Sequence, residues 1–451
     1  MQGQINTHSR HRFSFIIILI IVLLFILPSG RGLYAQDNGS EYTLTQLLDS
    51  ALQNNRLLMA NKKNTVIKQA EIDILRKNYQ PTISTSASIS TWKFLLPNKQ
   101  RLLGDALTDV YTDISIRQTI YDGGENKAKR ALVEEEILLN DEIHRQIQNT
   151  IIIGVSDTYF EILKAKWEVE AYRNSLGQLN SQLEYSENLY KRGKVSKVDI
   201  LKVTVQISVA EKNLNRALNA EEVFKTRLGR QCYLKNNEPL KVTKLSDNLY
   251  HRLQNHFFSA DSLYAEVLQN HPSLLASSYR LEIEAKQKEI YQLQSLPDIF
   301  TYGTGSWEHG YIPFGDNFNY NIGVGVSYTI PLWGGSAHKT KMKQSKLLTE
   351  QIEYEKEQDF QNIKEEIDIA LNEIRTIKDD IYDNKKIIDL ANETLDNAMV
   401  KYRGGQGTII DVLDAQTILT KAAIDFRKST VAYLQTIAKL HYLTGNNNYP
   451  F

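Results

Sequence analysis

The chain states one structural unit twice. Gln118-Thr-Ile-Tyr-Asp-Gly-Gly-Glu returns about 210 residues later as Tyr328-Thr-Ile-Pro-Leu-Trp-Gly-Gly-Ser, with Gly123 and Gly124 matching Gly334 and Gly335. Tyr190-Lys-Arg-Gly-Lys-Val-Ser-Lys-Val-Asp-Ile-Leu returns as Tyr402-Arg-Gly-Gly-Gln-Gly-Thr-Ile-Ile-Asp-Val-Leu. The corner Gln80-Pro81-Thr-Ile has its copy in Leu296-Pro297-Asp-Ile. The period is too long for a solenoid unit, so two similar halves are required. Each half reads helix, two strands, very long helix, shorter helix.

The strands carry the sharper pattern. Between Asn317 and Ile330, Phe318, Tyr320, Ile322, Val324, Val326, Tyr328 and Ile330 share one face, opposite Asn319, Asn321, Gly323, Gly325, Ser327 and Thr329. Val110, Ile114, Ile116 and Ile120 repeat it opposite Asp113, Ser115 and Arg117. The partner strands, Thr82 to Trp92 and Ile299 to Trp307, alternate more weakly. Long strands that are apolar on one face and small or polar on the other suit a membrane barrel with a wet lumen. A half-buried hairpin of a soluble sandwich suits the strands alone equally well. Four strands cannot close a barrel, which takes about eight, and an open edge in lipid is too costly. A membrane reading therefore needs several copies of the chain.

After each glycine pair comes a proline-free stretch, from Glu125 to about Tyr190 and from Ser336 to about Tyr402. Apolar residues recur there at three- and four-residue spacing, as in Leu139, Ile143, Ile147, Ile151, Val155 and Tyr159, or Phe360, Ile363, Ile367, Leu371 and Ile374. Such a stripe is a seam between helices. At 1.5 Å per residue each helix is about 100 Å long, the length of an extended coiled coil or of a tube wall. Each ends at a glycine suited to a left-handed cap, Gly193 or Gly405. Ser196 with Asp199 and Thr408 with Asp411 then have capping-box spacing for a returning helix.

The boundaries that follow are a cleaved signal peptide over 1–35, a first repeat over 36–230, a mid-body segment over 231–259, a second repeat over 260–445 and a tail over 446–451. The first repeat holds strands at about 81–97 and 108–121, a long helix at about 125–190 and a returning helix at about 197–230. The second holds strands at about 297–310 and 317–331, a long helix at about 336–402 and a returning helix at about 408–443. The opening helices are read as single, from about Thr43 to Tyr79 and from about Asp261 to Ser295, each ending before a proline. The signal peptide is read from Arg10 and Arg12, the apolar run Phe13 to Leu27, and the small-residue site ending at Ala35.

Composition removes several classes. Lys and Arg total 53, matching 53 Asp and Glu, so there is no basic excess of the kind a nucleic-acid binder shows. A single cysteine, Cys232, gives no disulfide framework. The nine histidines lack ligand spacing and read as surface or interface residues, and no cofactor or metal site is expected. No nucleophile–base pair appears, and the glycine pairs lack the further glycines or lysine of a phosphate cradle. An enzyme is the weakest reading.

The corners Tyr121-Asp-Gly-Gly124 and Leu332-Trp-Gly-Gly335, with the tips Tyr190-Lys-Arg-Gly193…Asp199-Ile-Leu and Tyr402-Arg-Gly-Gly405…Asp411-Val-Leu-Asp414-Ala, resemble the outer-membrane efflux proteins of the TolC type. The resemblance covers nearly all of the chain after residue 35. It implies an α+β membrane protein: a homotrimer with a twelve-stranded β-barrel in the outer-membrane lipid of a Gram-negative bacterium and a twelve-helix α-barrel in the periplasm. It further implies a passive exit duct, coupled through a periplasmic adaptor (a membrane fusion protein) to an inner-membrane pump of the RND, ABC or MFS type.

By position, the resemblance puts adaptor docking on Arg192, Gly193, Lys194, Gly404, Gly405 and Gln406, where cationic residues or glycine replace the small apolar flanks of the family. It puts a periplasmic gate at Asp411 and Asp414, six carboxylates around the axis of three chains. Beside this stands the plainer reading of Asp411 as a cap at a positive helix end and of Asp414 as a solvated acid. The copies disagree here, since Lys202 occupies the position of Asp414, and Gly407 stands where the family has a basic residue. A periplasmic or secreted coiled-coil protein without a channel is the alternative; it accounts for the helices but not for the apolar face of Phe318 to Ile330. A periplasmic adaptor would have one helical hairpin between all-β domains, whereas this chain has two.

Overall fold

The computed structural model describes residues 41–93, 97–98, 101, 106–234, 240–243, 258–309, 316–328 and 335–446. The expected signal peptide, most of the 231–259 segment, Gly334 and all of the tail after Asn446 lie outside the described residues.

The elements are β1 (Glu41–Tyr42), α1 (Leu44–Asn54), α2 (Arg56–Lys77), β2 (Thr82–Lys93), β3 (Ala106–Tyr121), α3 (Glu125–Lys191), α4 (Lys197–Gln231), β4 (Lys241–Val242), α5 (Ala260–Asn270), α6 (Pro272–Leu293), β5 (Asp298–His309), β6 (Asp316–Ser327), α7 (Gly335–Arg403) and α8 (Ile409–Thr444).

Each opening helix is two helices, which corrects the single spans read from sequence. Asn55 leaves the helix at φ −67°, ψ 123°, and its Oδ1 accepts from the Leu57 and Leu58 amides. His271 repeats the break; its Nδ1 accepts from the Ser273 amide, and Pro272 fills the first helical position, where a missing N–H costs nothing. Two strand ends also differ from expectation. Strand β2 stops at Lys93 with Pro97 and Asn98 helical, and β6 stops at Ser327, before Tyr328.

The two long helices are 67 and 69 residues, and the short helices take turns beside them. Near the sheet the contacts run α2–α3–α6–α7; at the far end they run α4–α3–α8–α7. Polar ties mark the first row, with Asn61 on Asn140 at 2.9 Å and Lys356 on Ser278 at 2.9 Å. Lys428 with Glu168 (3.3 Å) and Asn384 with Ser429 (3.4 Å) mark the second.

The switch of neighbours happens at a waist where α1, α5 and the parallel pair β1–β4 collect. The main core lies here, with Leu47, Tyr159, Phe160, Ile162, Leu163, Leu228, Val267, Ile367, Tyr433 and Ile437 all fully buried. Each such side chain contributes about 1.5–3 kcal/mol, so the waist is the anchor of the helical body. Tyr159 donates its hydroxyl to the Thr243 carbonyl at 3.0 Å and Lys166 reaches the Val242 carbonyl at 3.3 Å, pinning the mid-body strand to α3. A second cluster of Leu179, Val203, Ile207, Leu395, Tyr402, Ile409 and Val412 holds the two hairpins together near their tips.

The sheet is antiparallel in the order β2-β3-β5-β6, open at both ends. The repeats are thus joined edge to edge, through β3 and β5.

Candidate functional site

Three places inherit the residues singled out by sequence: the sheet faces, the strand-to-helix corners and the hairpin tips.

Register fixes the two sheet faces. Ile83, Ile116, Gly303 and Ile322 form one row across the four strands, and Ile89, Val110 and His309 lie on the same face. On β6 this face is Phe318, Tyr320, Ile322, Val324 and Val326, exposed by 67–80%. Trp307 lies opposite Phe318 and stacks on His309 at 5.9 Å, while Tyr121 and Tyr328 stand at the other end. Phe318 and Tyr328 are ten residues apart, about 34 Å along extended chain and about 25 Å at a tilt of roughly 40°. An apolar band of that height between aromatic rows fits a bilayer core. Among the described residues no helix is long and apolar enough to cross a membrane.

The opposite face is small and polar, and here the repeats diverge. In the first, Ser84 bonds Ser115 at 2.8 Å and Ser86 donates to Asp113. In the second, the matching positions carry Phe300 opposite Gly325 and Tyr302 opposite Gly323. A Cβ on Gly325 would lie 2.5 Å from the Phe300 ring, and one on Gly323 would lie 2.8 Å from the Tyr302 hydroxyl. Both rings therefore lie across bare backbone. Arg117 places its guanidinium 3.7 Å from the centre of the Phe300 ring.

At the first corner Gly123 and Gly124 adopt φ of +66° and +89°, a region open chiefly to glycine. A Cβ on Gly123 would also lie 2.7 Å from that of Leu296. Asp122 completes the turn: its carboxylate accepts from the amides of Gly124 (3.1 Å) and Asn126 (2.9 Å) and from the Tyr79 hydroxyl (2.8 Å). These bonds satisfy the free amides at the start of α3 and fix the angle at which the helix leaves the sheet. At the second corner Gly335 opens α7, and Gly334 lies outside the described residues.

At the tips Gly193 (φ +71°) and Gly405 (φ +76°) each close a two-bond helix stop. The Gly193 amide bonds Tyr190 O at 2.8 Å and the Lys194 amide bonds Leu189 O at 3.0 Å. The Gly405 amide bonds Tyr402 O at 3.1 Å and the Gln406 amide bonds Lys401 O at 2.9 Å. Arg192, Lys194, Gly404 and Gln406 are exposed. A groove of about 550 Å³ separates the two turns, lined by Gly193, Lys194, Arg403, Gly404, Gly405 and Gly407 among others. A Cβ on Gly407 would come within 3.1 Å of the Tyr402 amide nitrogen, so backbone packing accounts for the glycine there.

Asp411 is a cap. Its Oδ2 accepts from the Thr408 amide at 3.0 Å and the Thr408 hydroxyl at 2.8 Å, and its own amide bonds Thr408 Oγ1 at 3.3 Å. The bond from the Thr408 amide, then that from its hydroxyl, holds this carboxyl below its ordinary range. Ser196 and Asp199 form the same box in the first repeat. Asp414, three residues on, is exposed without such a bond in hand. One chain brings Asp411 and Asp414 to one tip and forms no ring by itself.

Sequence reading missed a link between the hairpins. The Tyr402 hydroxyl lies 3.2 Å from Ser186 Oγ, and its ring packs edge-on to Tyr185 at 6.2 Å. Tyr402 is 5% exposed while its repeat partner Tyr190 is 46% exposed. The matching tyrosines were visible; which one is buried depends on how the hairpins pack. His271, read from sequence as a surface or interface residue, is a half-buried helix cap, and burial pushes its imidazole down to about 4. No group of residues suited to a metal ion occurs among the described residues.

A model of the outer membrane efflux protein family matches residues 47–223 and 263–446, one stretch in each repeat. The outer membrane efflux protein BepC of Brucella suis biovar 1 (strain 1330) is 25% identical over 407 residues, spanning 90% of this chain and 85% of that protein. The outer membrane protein TolC of Salmonella enteritidis is 23% identical over 357 residues, spanning 74% and 69%. Among solved structures, CusC superposes with a TM-score of 0.75 at 16% identity, covering 90% of this chain and 92% of that one. The Campylobacter jejuni CmeC outer membrane channel gives 0.72 at 17%, covering 90% and 86%. At such identities the structural likeness is one of fold. The family match extends over most of both repeats, and on it the chain belongs to the outer membrane efflux protein family.

Proposed function

We propose that three copies of this chain close one outer-membrane barrel of twelve strands, continued by a periplasmic tube of twelve helices, and that solutes leave the cell through it. The chain acts as a passive efflux channel and performs no catalysis. The observation that carries the assembly is the sheet itself. It has four strands, an exposed apolar face and an open edge at both β2 and β6. Such edges are untenable in lipid, and edge-to-edge joining of identical sheets removes them, since β6 of one copy meets β2 of the next.

Energy comes from elsewhere in this reading. The tip residues Arg192, Gly193, Lys194, Gly404, Gly405 and Gln406 take a periplasmic adaptor, which connects the duct to an inner-membrane pump of the RND, ABC or MFS type. Three copies of Asp411 and Asp414 would surround the periplasmic mouth and act as a cation-attracting gate. The capping bonds of Asp411 support a structural task for that residue first, leaving Asp414 as the freer charge.

The test is purification in detergent followed by mass measurement and planar-bilayer recording. A three-chain mass with stepwise conductance is the expected result. A monomer that stays soluble without detergent sinks this reading and favours a periplasmic coiled-coil protein.

A further inference from the structure

The inner face of the sheet holds one arrangement that closing a barrel does not need. Thr82, Arg117, Tyr302 and Gly323 form a single row across the four strands. From that row Arg117 reaches diagonally to the Phe300 ring, which itself lies over Gly325. The result is a three-layer stack of backbone, ring and guanidinium. Stacking holds the plane of Arg117 and leaves its N–H edge unspent. Among the described residues no carboxylate pairs with it, and Asp113, four residues along the strand, accepts from Ser86. At about 3.4 Å per residue Asp113 is about 14 Å away, beyond the Debye length of about 8 Å at physiological salt. Arg117 is exposed, and beside it the tilted Tyr302 ring stands 6.1 Å from Phe300.

The first repeat supplies an internal control. Its matching positions, Ser84, Ser86, Asp113 and Ser115, satisfy one another with hydroxyl and carboxylate bonds and present no ring. At these four positions strand pairing is served without aromatics or glycines, while Arg117, two residues beyond Ser115 on the same strand, reaches across into the second repeat's stack.

We infer that Arg117 and Tyr302 form a lumen-facing subsite for aromatic anions, with the guanidinium taking a carboxylate or sulfonate and the tyrosine face taking the ring. The inference rests on the channel reading, which makes this face the lumen. Phe300 and Gly325 are the pedestal: they set the height and plane of Arg117 and do not touch cargo. Three chains would place three such subsites around the pore, alternating with three hydroxyl-rich sectors. Each subsite acts on its own, because a bidentate charge-assisted pair needs only one guanidinium.

The test uses the full-chain assembly in planar bilayers, with a naphthalenesulfonate in the electrolyte as the probe. The wild-type current is expected to show concentration-dependent block. Arg117→Gln and Tyr302→Leu are each expected to raise the half-blocking concentration about tenfold, the scale of one lost charge-assisted bond or stacking contact. Arg117→Lys, which keeps the charge and loses the fork, is expected to fall between. Naphthol, with the ring and no charge, and sulfate, with charge and no ring, are each expected to block at least about tenfold more weakly. A three-chain mass in detergent with stable stepwise conductance shows that a variant pore is intact. Unchanged block in both variants, or equal block by sulfate or naphthol, overturns the subsite. A conducting wild-type pore without block overturns it too and leaves the duct standing. A chain that never conducts overturns the duct and the subsite together.

Discussion

The Tyr402 hydroxyl, on the second hairpin, lies 3.2 Å from Ser186 Oγ on the first. Both residues are buried, so the bond is shielded from solvent and adds to the apolar cluster that joins the two hairpins near their tips. Tyr402→Phe keeps the ring packing and removes the bond, which is worth about 1 kcal/mol. Amide exchange over 185–195 and 398–405 should rise about fivefold, with the waist around Phe160 unchanged. Equal exchange in mutant and wild type refutes the link.

Gly325 has no room for a side chain beneath Phe300. Gly325→Ala should destabilise the sheet by about 1–3 kcal/mol through overpacking, read as a lower melting temperature in detergent. Adding Phe300→Ala should recover part of the loss. A double mutant weaker than the sum of the two single mutants contradicts the ring-over-backbone packing.

Asp411 and Asp414 can be separated by the task each performs. Asp411→Asn weakens the box with Thr408, so α8 should fray at its start and melting should fall; Thr408→Ala should cost about 1 kcal/mol. The carboxyl of Asp411 titrates below its ordinary value in the fold, so its contribution is present above about pH 4 and fades as acid carries the solution through the folded value. Asp414→Asn should leave melting untouched and lower the cation preference of the pore, measured as a reversal potential in a salt gradient. A change of selectivity in Asp411→Asn alone would point to the cap as the gate.

His271 gives a pH signature of opposite chemistry. Burial, the largest effect, holds its imidazole at about 4, against about 6.5 when unfolded. Between these values the unfolded chain binds the extra proton, so stability is full above pH 6.5 and falls toward pH 4. His271→Asn, the residue at the matching break Asn55, removes that slope. Relative to wild type it should gain about 2 kcal/mol between pH 7 and pH 4.5, seen as a flatter melting profile.

Asp157 works the other way. Burial first, and Glu161 second, push its carboxyl up to about 6. The folded chain then binds the proton more tightly than the unfolded one, so this group costs stability increasingly from about pH 4 to pH 6 and steadily above. Asp157→Asn should raise stability at pH 7.5 by about 1 kcal/mol, allowing for the solvent that reaches it, and have no effect at pH 3.5. A gain at both pH values would assign the effect to packing.

What was legible in the sequence is what short stretches encode by themselves. Gly193, Gly405, Ser196 and Thr408 announce their turns because a positive φ and a free helix end each admit few residue types. The apolar face of β6 is legible because its alternation is unbroken. The weak alternation of β5 has a physical cause in the structure: Phe300 and Tyr302 face inward over Gly325 and Gly323, while Gly303 and Gly305 face outward between Ile116, Ile322, Ile114 and Phe318. The usual sense of the pattern is inverted over those residues. Pro272 was a readable start signal inside an apparently continuous helix, whereas Asn55 is ordinary within a helix and stops one only through its side-chain bonds. The exchange of α2 and α6 for α4 and α8 beside the long helices has no local code, and neither does the burial of Tyr402 over Tyr190.

The free edges at β2 and β6 also govern the order of events after export. The helical body has its own core at the waist, while the sheet of one chain carries two unpaired edges and a face of exposed Ile, Val, Tyr and Phe. Water tolerates the edges and not the face; lipid tolerates the face and not the edges. A single chain therefore has no resting place, and in the proposed three-chain barrel insertion and subunit joining become one step whose rate rises steeply with the supply of chains.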